Sequence, residues 1–141
     1  EFRRVLFRSA AEKALAELLR AAGPASGLLA SAHDLSDGGL AQALVECSLR
    51  HMIGAAVEVE GDPFVALFAE STGRVLVTVD PDDVEALLAL AERHGVPAAV
   101  LGATGGDSVI VSAEEGDVPL FATPLLEIRS QWMATIPAAM A

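Results

Sequence analysis

The sequence has no tyrosine, a single tryptophan and five phenylalanines, so aromatic residues make up only 4% of it. Its core must therefore be built mainly from Ala, Leu, Val and Ile. Cysteine occurs once, at Cys47, which excludes an internal disulfide and a cysteine-based zinc site and suits a reducing cytoplasm. Lysine also occurs once, at Lys13. Nine basic residues stand against twenty acidic ones, and the net charge of −11 argues against a nucleic-acid surface, where Lys and Arg must cluster. Any phosphate bound here must be met by backbone N–H groups, by a few arginines or by a metal. No apolar run approaches the ~20 residues needed to cross a bilayer, so no membrane role is expected and the expected location is the cytoplasm. The length of 141 residues, 52% of them apolar, suits one domain with a real core.

Residues 1–8 differ from the rest, with Arg3, Arg4 and Arg8 in a chain that is otherwise acidic. They have too little apolar length for a signal peptide and are read as a non-native junction. The domain proper is expected over residues 9–141, starting where Ser9-x-x-Glu12 forms a capping box.

The most informative segment is Ser31-Ala-His-Asp-Leu-Ser-Asp-Gly-Gly-Leu40. Two carboxylates, an imidazole and a hydroxyl precede a glycine pair that opens an amphipathic helix. Helix N-termini carry unpaired N–H groups and the positive end of the dipole, which attract phosphate. Glycines at that point let a ligand approach the backbone. Asp34 and Asp37 are candidate Mg²⁺ ligands, since Mg²⁺ takes oxygen donors and joins carboxylates to phosphates. The plainer alternative is that Ser36 or Asp37 caps the helix.

Periodicity supplies the surrounding elements. Leu15, Leu18, Leu19 and Ala22 line a first helix that Gly23-Pro24 ends. A second helix spans about Gly38 to His51, with Leu40, Ala43, Leu44 and Cys47 on its apolar face. Cys47 in that row reads as packing rather than as a nucleophile. Residues 54–60 alternate as a strand with one wet face, Val57 and Val59 against Glu58 and Glu60. Arg74 to Val79 is apolar and β-branched, as in a central strand covered on both faces. A third helix starts at Asp80-Pro81, buries Val84, Leu87, Leu88 and Ala91, and stops at Gly95 and Pro97. Pro97–Leu101 and Ser108–Ala113 read as a hairpin around a glycine turn, and 63–68 as a possible short strand. Thr123-Pro124 opens a last helix that buries Leu125, Ile128, Trp132 and Ile136. This order indicates α+β, with one mixed sheet and helices packed on it.

A second constellation is Leu67-Phe-Ala-Glu-Ser-Thr-Gly-Arg74, where Glu70, Ser71 and Arg74 cluster before an apolar strand. Arginine and a hydroxyl at a strand end suit an anion, with the carboxylate holding the arginine. The alternative is a structural salt bridge. The sequence contains no complete nucleophile–base arrangement, and no residue is assigned as catalytic.

Together, His33-Asp-Leu-Ser-Asp-Gly-Gly-Leu-Ala-Gln-Ala-Leu44, Leu67–Val77, Gly102-Ala-Thr-Gly-Gly106 and Trp132-Met-Ala-Thr-Ile-Pro137 resemble the C-terminal domain of the phosphoribosylformylglycinamidine synthase family, over residues 9–141. That family belongs with the aminoimidazole ribonucleotide synthetases. The resemblance implies a three-layer α+β fold, partly ferredoxin-like. It implies an enzyme that uses ATP and Mg²⁺ to amidate formylglycinamide ribonucleotide with ammonia from glutamine, and that works with glutaminase and small bridging subunits. It further implies that this chain is the last quarter of the large subunit, inactive without its upstream domains. Asp34, Ser36, Asp37, Gly38 and Gly39 match the family's cleft-facing turn, and Glu70, Ser71 and Arg74 match a substrate-contacting position. The first half of such subunits carries Glu-Ser-Gln where this chain has Glu70-Ser71-Thr72, and the missing amide favours a supporting role. His33 is expected to hydrogen-bond within the turn. The alternatives are another synthetase of the superfamily (aminoimidazole ribonucleotide or selenophosphate), or a non-catalytic docking domain.

Overall fold

The computed structural model describes residues 2–23, 26–114 and 118–140; Pro24, part of the expected helix stop, and the side chain of Ile136 lie outside the described residues. The chain divides into two compact units that interleave in sequence, Glu1–Asp34 with Thr72–Val100 and Leu35–Ser71 with Leu101–Ala141. Both are mixtures of helix and sheet, so the α+β class holds. The single mixed sheet does not: the strands form a two-stranded and a four-stranded sheet.

The first unit contains α1 (Phe2–Ala22), β1 (Leu29–Asp34), β3 (Val75–Val79) and α4 (Val84–Arg93). α1 runs through Ser9, so the Ser9–Glu12 pair lies within a helix and has no helix start to cap. Among the described residues of this unit, Leu18, Ala22 and Ala91 are buried, and α1 packs against α4. Val84, Leu87 and Leu88 are only half-buried. A single 3-10 turn, Pro81–Asp83, leads into α4, with Asp80 accepting from the N–H of Asp82. α4 ends in a Schellman motif: Val96 N–H donates to the Ala91 carbonyl, Gly95 N–H to that of Glu92, and Gly95 takes φ +66°.

β1 was not legible as a strand. Its sequence LASAHD lacks the β-branched, alternating character of strands, and it forms because antiparallel β3 offers a partner. Ser31 Oγ and Thr78 Oγ1 lie 2.6 Å apart across the pair. β3 is correspondingly not a central strand. Among the described residues it pairs with β1 alone, and all five of its residues are half-buried.

The second unit contains α2 (Gly39–His51), β2 (Ala55–Val59), α3 (Pro63–Phe68), β4 (Gly102–Thr104), β5 (Ser108–Ala113), β6 (Phe121–Pro124) and α5 (Leu125–Met140). Its sheet has the order β4-β2-β5-β6, with β2 and β5 parallel and the other pairs antiparallel. The expected alternation in β2 is present, with Ala55, Val57 and Val59 buried and Glu58 exposed. Parallel register places Val57 beside Val111 and Ala55 beside Val109, so these side chains share a face. Leu40, Ala43 and Leu44 of α2 are buried as expected, together with Ser48, while Cys47 is half-buried.

The expected hairpin around Gly102–Asp107 is absent, because β2 lies between β4 and β5. Backbone closeness permits the insertion. A Cβ at Gly54 would collide with the Ser108 carbonyl oxygen, and one at Gly102 with that of Ala56. Gly54 N–H donates to Gly106 O at 3.0 Å, and Gly105 N–H to Gly54 O at 2.7 Å. This glycine turn therefore wraps a strand end. Residues 97–101 form no strand.

Residues 63–68 are a helix, not a short strand. Asp62 accepts from the N–H groups of Phe64 and Val65, and Pro63 occupies the first turn. In α5, Leu125 is 1% exposed and Ile128 half-buried, but Trp132 is 44% exposed, so the expected apolar row is interrupted there. No described helix is long and apolar enough to cross a membrane.

Two measurements check this account. Gly54→Ala should destabilise the chain by about 2 kcal/mol, the order of an overpacked core site, read as a lower urea midpoint. Burial pushes the Cys47 thiol above its ordinary value; Glu46 adds to the rise and Arg50 opposes it. Alkylation of Cys47 at neutral pH should therefore be slower in the folded chain than in urea. Because the unfolded thiol ionises first, Cys47 should leave stability independent of pH below the unfolded thiol value and lower it as pH rises from that value toward the folded one.

Candidate functional site

The strand register of the first unit brings the ends of two motifs together. Asp34, the last residue of β1, is opposite Val75, the first of β3, so Asp34 and Arg74 lie at the same end of the ribbon. The Asp34 side chain is 76% exposed, and Arg74 is half-buried. His33 Nδ1 donates to the carbonyl oxygen of Asp34 at 2.7 Å, the local hydrogen bond expected of it. The same nitrogen is 3.9 Å from Asp34 Oδ1. Gly73 takes φ +76° as the chain turns into Arg74 and β3.

In the second unit, Ser36, Asp37, Gly38 and Gly39 form a turn that feeds α2. Gly39 N–H donates to Ser36 O at 3.1 Å. Gly38 has φ 79° and ψ 2°, as at the third position of a type II turn. The cap position of α2 is Gly38 and has no side-chain cap bond, so neither Ser36 nor Asp37 caps the helix. Both are exposed.

What fills the cap comes from the other motif. Glu70 Oε1 accepts from Gly38 N–H at 2.9 Å. The backbone explains how Glu70 arrives there. A Cβ on Gly39 would be 2.7 Å from the Leu67 carbonyl oxygen and 3.0 Å from that of Ala69, so only glycine admits the end of α3 this close. Gly39 takes φ +62°, which also favours glycine. Gly38 is constrained too, since its Cβ would fall 2.7 Å from Gln42 Cβ. Gly39 thus admits the protein's own backbone where the sequence pattern had pointed to a ligand. Ser71 follows Glu70 and is exposed.

Two sequence-distant motifs are therefore joined twice: Asp34 with Arg74 at one ribbon end, and Gly38 with Glu70 across a helix start. The second link was missed from sequence. Its signal was a helix opening on glycine, which lacks a capping side chain and so requires an acceptor from elsewhere. Electrostatically, the carboxylate of Glu70 sits at the positive end of the α2 dipole, beside exposed Asp37. Among the described residues, no group of three or more His, Cys, Asp or Glu is placed to hold a metal.

Comparison with known proteins places these motifs. The family described as AIR synthase related protein, C-terminal domain, matches residues 7–114. The phosphoribosylformylglycinamidine synthase subunit PurL of Nocardioides sp. is 55% identical over 130 residues, 92% of this chain and 16% of that protein. The same subunit from Thermobifida fusca is 43% identical, over 91% of this chain and 16% of that protein. Among solved structures, T. maritima PurL complexed with FGAR superposes with a TM-score of 0.74 at 24% identity, covering 83% of this chain and 20% of that one; this likeness shows the fold. The chain thus spans about one sixth of the length of the curated relatives it matches. Matched over most of its length by that family, and carrying both motifs in order, this chain belongs to the AIR synthase related proteins, as their C-terminal domain.

Proposed function

We propose that this chain is the C-terminal part of a phosphoribosylformylglycinamidine synthase large subunit, an ATP-dependent C–N ligase of purine biosynthesis. The observation that carries this reading is the 55% identity to a PurL subunit over 92% of the chain. The whole subunit uses ATP and Mg²⁺ to amidate formylglycinamide ribonucleotide with glutamine-derived ammonia in the cytoplasm. It does so together with glutaminase and small bridging subunits and the upstream domains of its own polypeptide. A relative's structure supports the assembly, being described as PurLQS from Thermotoga maritima.

Within this chain, Ser36, Ser71 and Arg74 serve nucleotide or substrate binding directly, Gly38, Gly39 and Glu70 serve it by shaping the turn that precedes α2, and Asp34 and Asp37 serve as oxygen donors to Mg²⁺. The donor chemistry fits. Mg²⁺ keeps several waters and is commonly held by one or two carboxylates plus substrate phosphates. Asp34 and Asp37 are exposed carboxylates, and the lack of a larger ligand cluster among the described residues accords with ligation shared with a nucleotide. When bound, the ion supplies neutralisation of phosphate charge. The chain's own part is to present carboxylates and turn backbone at fixed positions. No catalytic residue is assigned to it.

One observation favours a second reading, a docking domain without nucleotide contact. Phe64, Val65 and Phe68 of α3 are 73%, 58% and 48% exposed, and the two phenylalanine rings lie 5.2 Å apart. The occupant of that face would be the remainder of a longer subunit, of which this chain spans about one sixth.

The chain alone should show no ATP- and glutamine-dependent turnover, and measurable turnover would refute its assignment as a tail domain. Calorimetric titration with Mg-ADP should show weak binding that Asp37→Ala weakens by about tenfold or more. Binding indifferent to Asp37→Ala removes Asp37 from the metal assignment, and no binding at all favours docking.

A further inference from the structure

We propose that Glu70 works through the backbone of Gly38 rather than by touching a ligand: it is the remote cap of α2 and holds the Ser36–Gly39 turn in position. As a role in the complete enzyme this rests on the function proposed above; as a statement about the turn it does not.

Four observations carry it. α2 is a helix of 13 residues whose cap position is a glycine with no capping side chain. The N–H of that glycine donates to Glu70 Oε1 at 2.9 Å, a charge-assisted bond at the positive end of the helix. The residues before Glu70 are locked against Gly39, with the carbonyls of Leu67 and Ala69 where any Cβ would clash. Finally, α3 is itself fixed at its start by Asp62, which accepts from Phe64 and Val65 N–H groups. The carboxylate is thus delivered by a short, capped helix whose exit is pinned to the helix it caps. The bond from Oε1 to Gly38 gives Glu70 a direct hold on the placement of Ser36, Asp37 and Gly38, and its role lies in that bond.

The test contrasts Glu70→Gln with Glu70→Ala. Glutamine keeps an oxygen acceptor and gives up the charge, whereas alanine gives up both. In the 141-residue chain, amide hydrogen exchange at Gly38 should stay within about twofold of the parent in Glu70→Gln and rise about tenfold in Glu70→Ala, the order supplied by one such bond. Unchanged exchange in Glu70→Ala overturns the proposal, as does exchange raised equally by both substitutions. In the complete subunit, Glu70→Ala should impair KM for ATP and kcat by a clearly larger factor than Glu70→Gln, whose retained acceptor restores most of the loss. If Gln is as damaging as Ala there, the charge itself meets a metal or substrate and the positioning role is wrong. A complete parent subunit without ligase activity would sink the proposed function while leaving the exchange result to stand.

Discussion

The contact between the end of α3 and the start of α2 organises the candidate site. Two backbones meet there with no side chain between them, because Gly39 presents only hydrogen toward the carbonyls of Leu67 and Ala69. From that closeness follow the position of Glu70, its bond to Gly38 and the setting of the Ser36–Gly39 turn. A helix that opens on glycine gives up its own cap, worth about 1 kcal/mol when Ser, Asp or Asn supplies it. Here the missing acceptor is replaced by a carboxylate, which gains further from the helix dipole.

The same device recurs in the four-stranded sheet. Gly54 and Gly102 let β2 lie between β4 and β5 with carbonyl oxygens at positions a Cβ would occupy. Glycine clusters in a sequence invite a phosphate-binding reading, since phosphate and backbone both need an uncluttered approach. In this chain Gly39 and Gly102 admit protein backbone, and Gly105 and Gly106 bond to Gly54 through their own backbone groups. Exposed beside the turn are the Ser36 hydroxyl and the Asp37 carboxylate; in the first unit, exposed Asp34 and half-buried Arg74 lie at one end of the β1–β3 ribbon.

Local pattern carried far in some elements and failed in others for identifiable reasons. α2, α4 and β2 were legible because one face of each is apolar at the helical or strand period, and because Gly95 and Asp80 mark the ends of α4 and its lead-in turn. β1 was illegible because LASAHD has no intrinsic preference for a strand and takes that form from its partner. Residues 63–68 were ambiguous as a short apolar run, and the cap by Asp62 decides for a helix. Trp132 fits the helical period yet is 44% exposed, since periodicity names a face and not what covers it.

By itself, the sequence determined the class of the protein: a weakly aromatic, acidic α+β chain with one thiol, carrying two chemical motifs in a recognisable order. These follow from composition, period and residue identity, which are local properties. Only the tertiary structure decided the pairings: β2 between β4 and β5, β1 with β3, and Glu70 on Gly38. Each joins residues distant in the chain through a backbone group on at least one side, which every residue carries alike, so side-chain identity records where such a contact is permitted but not which partner fills it.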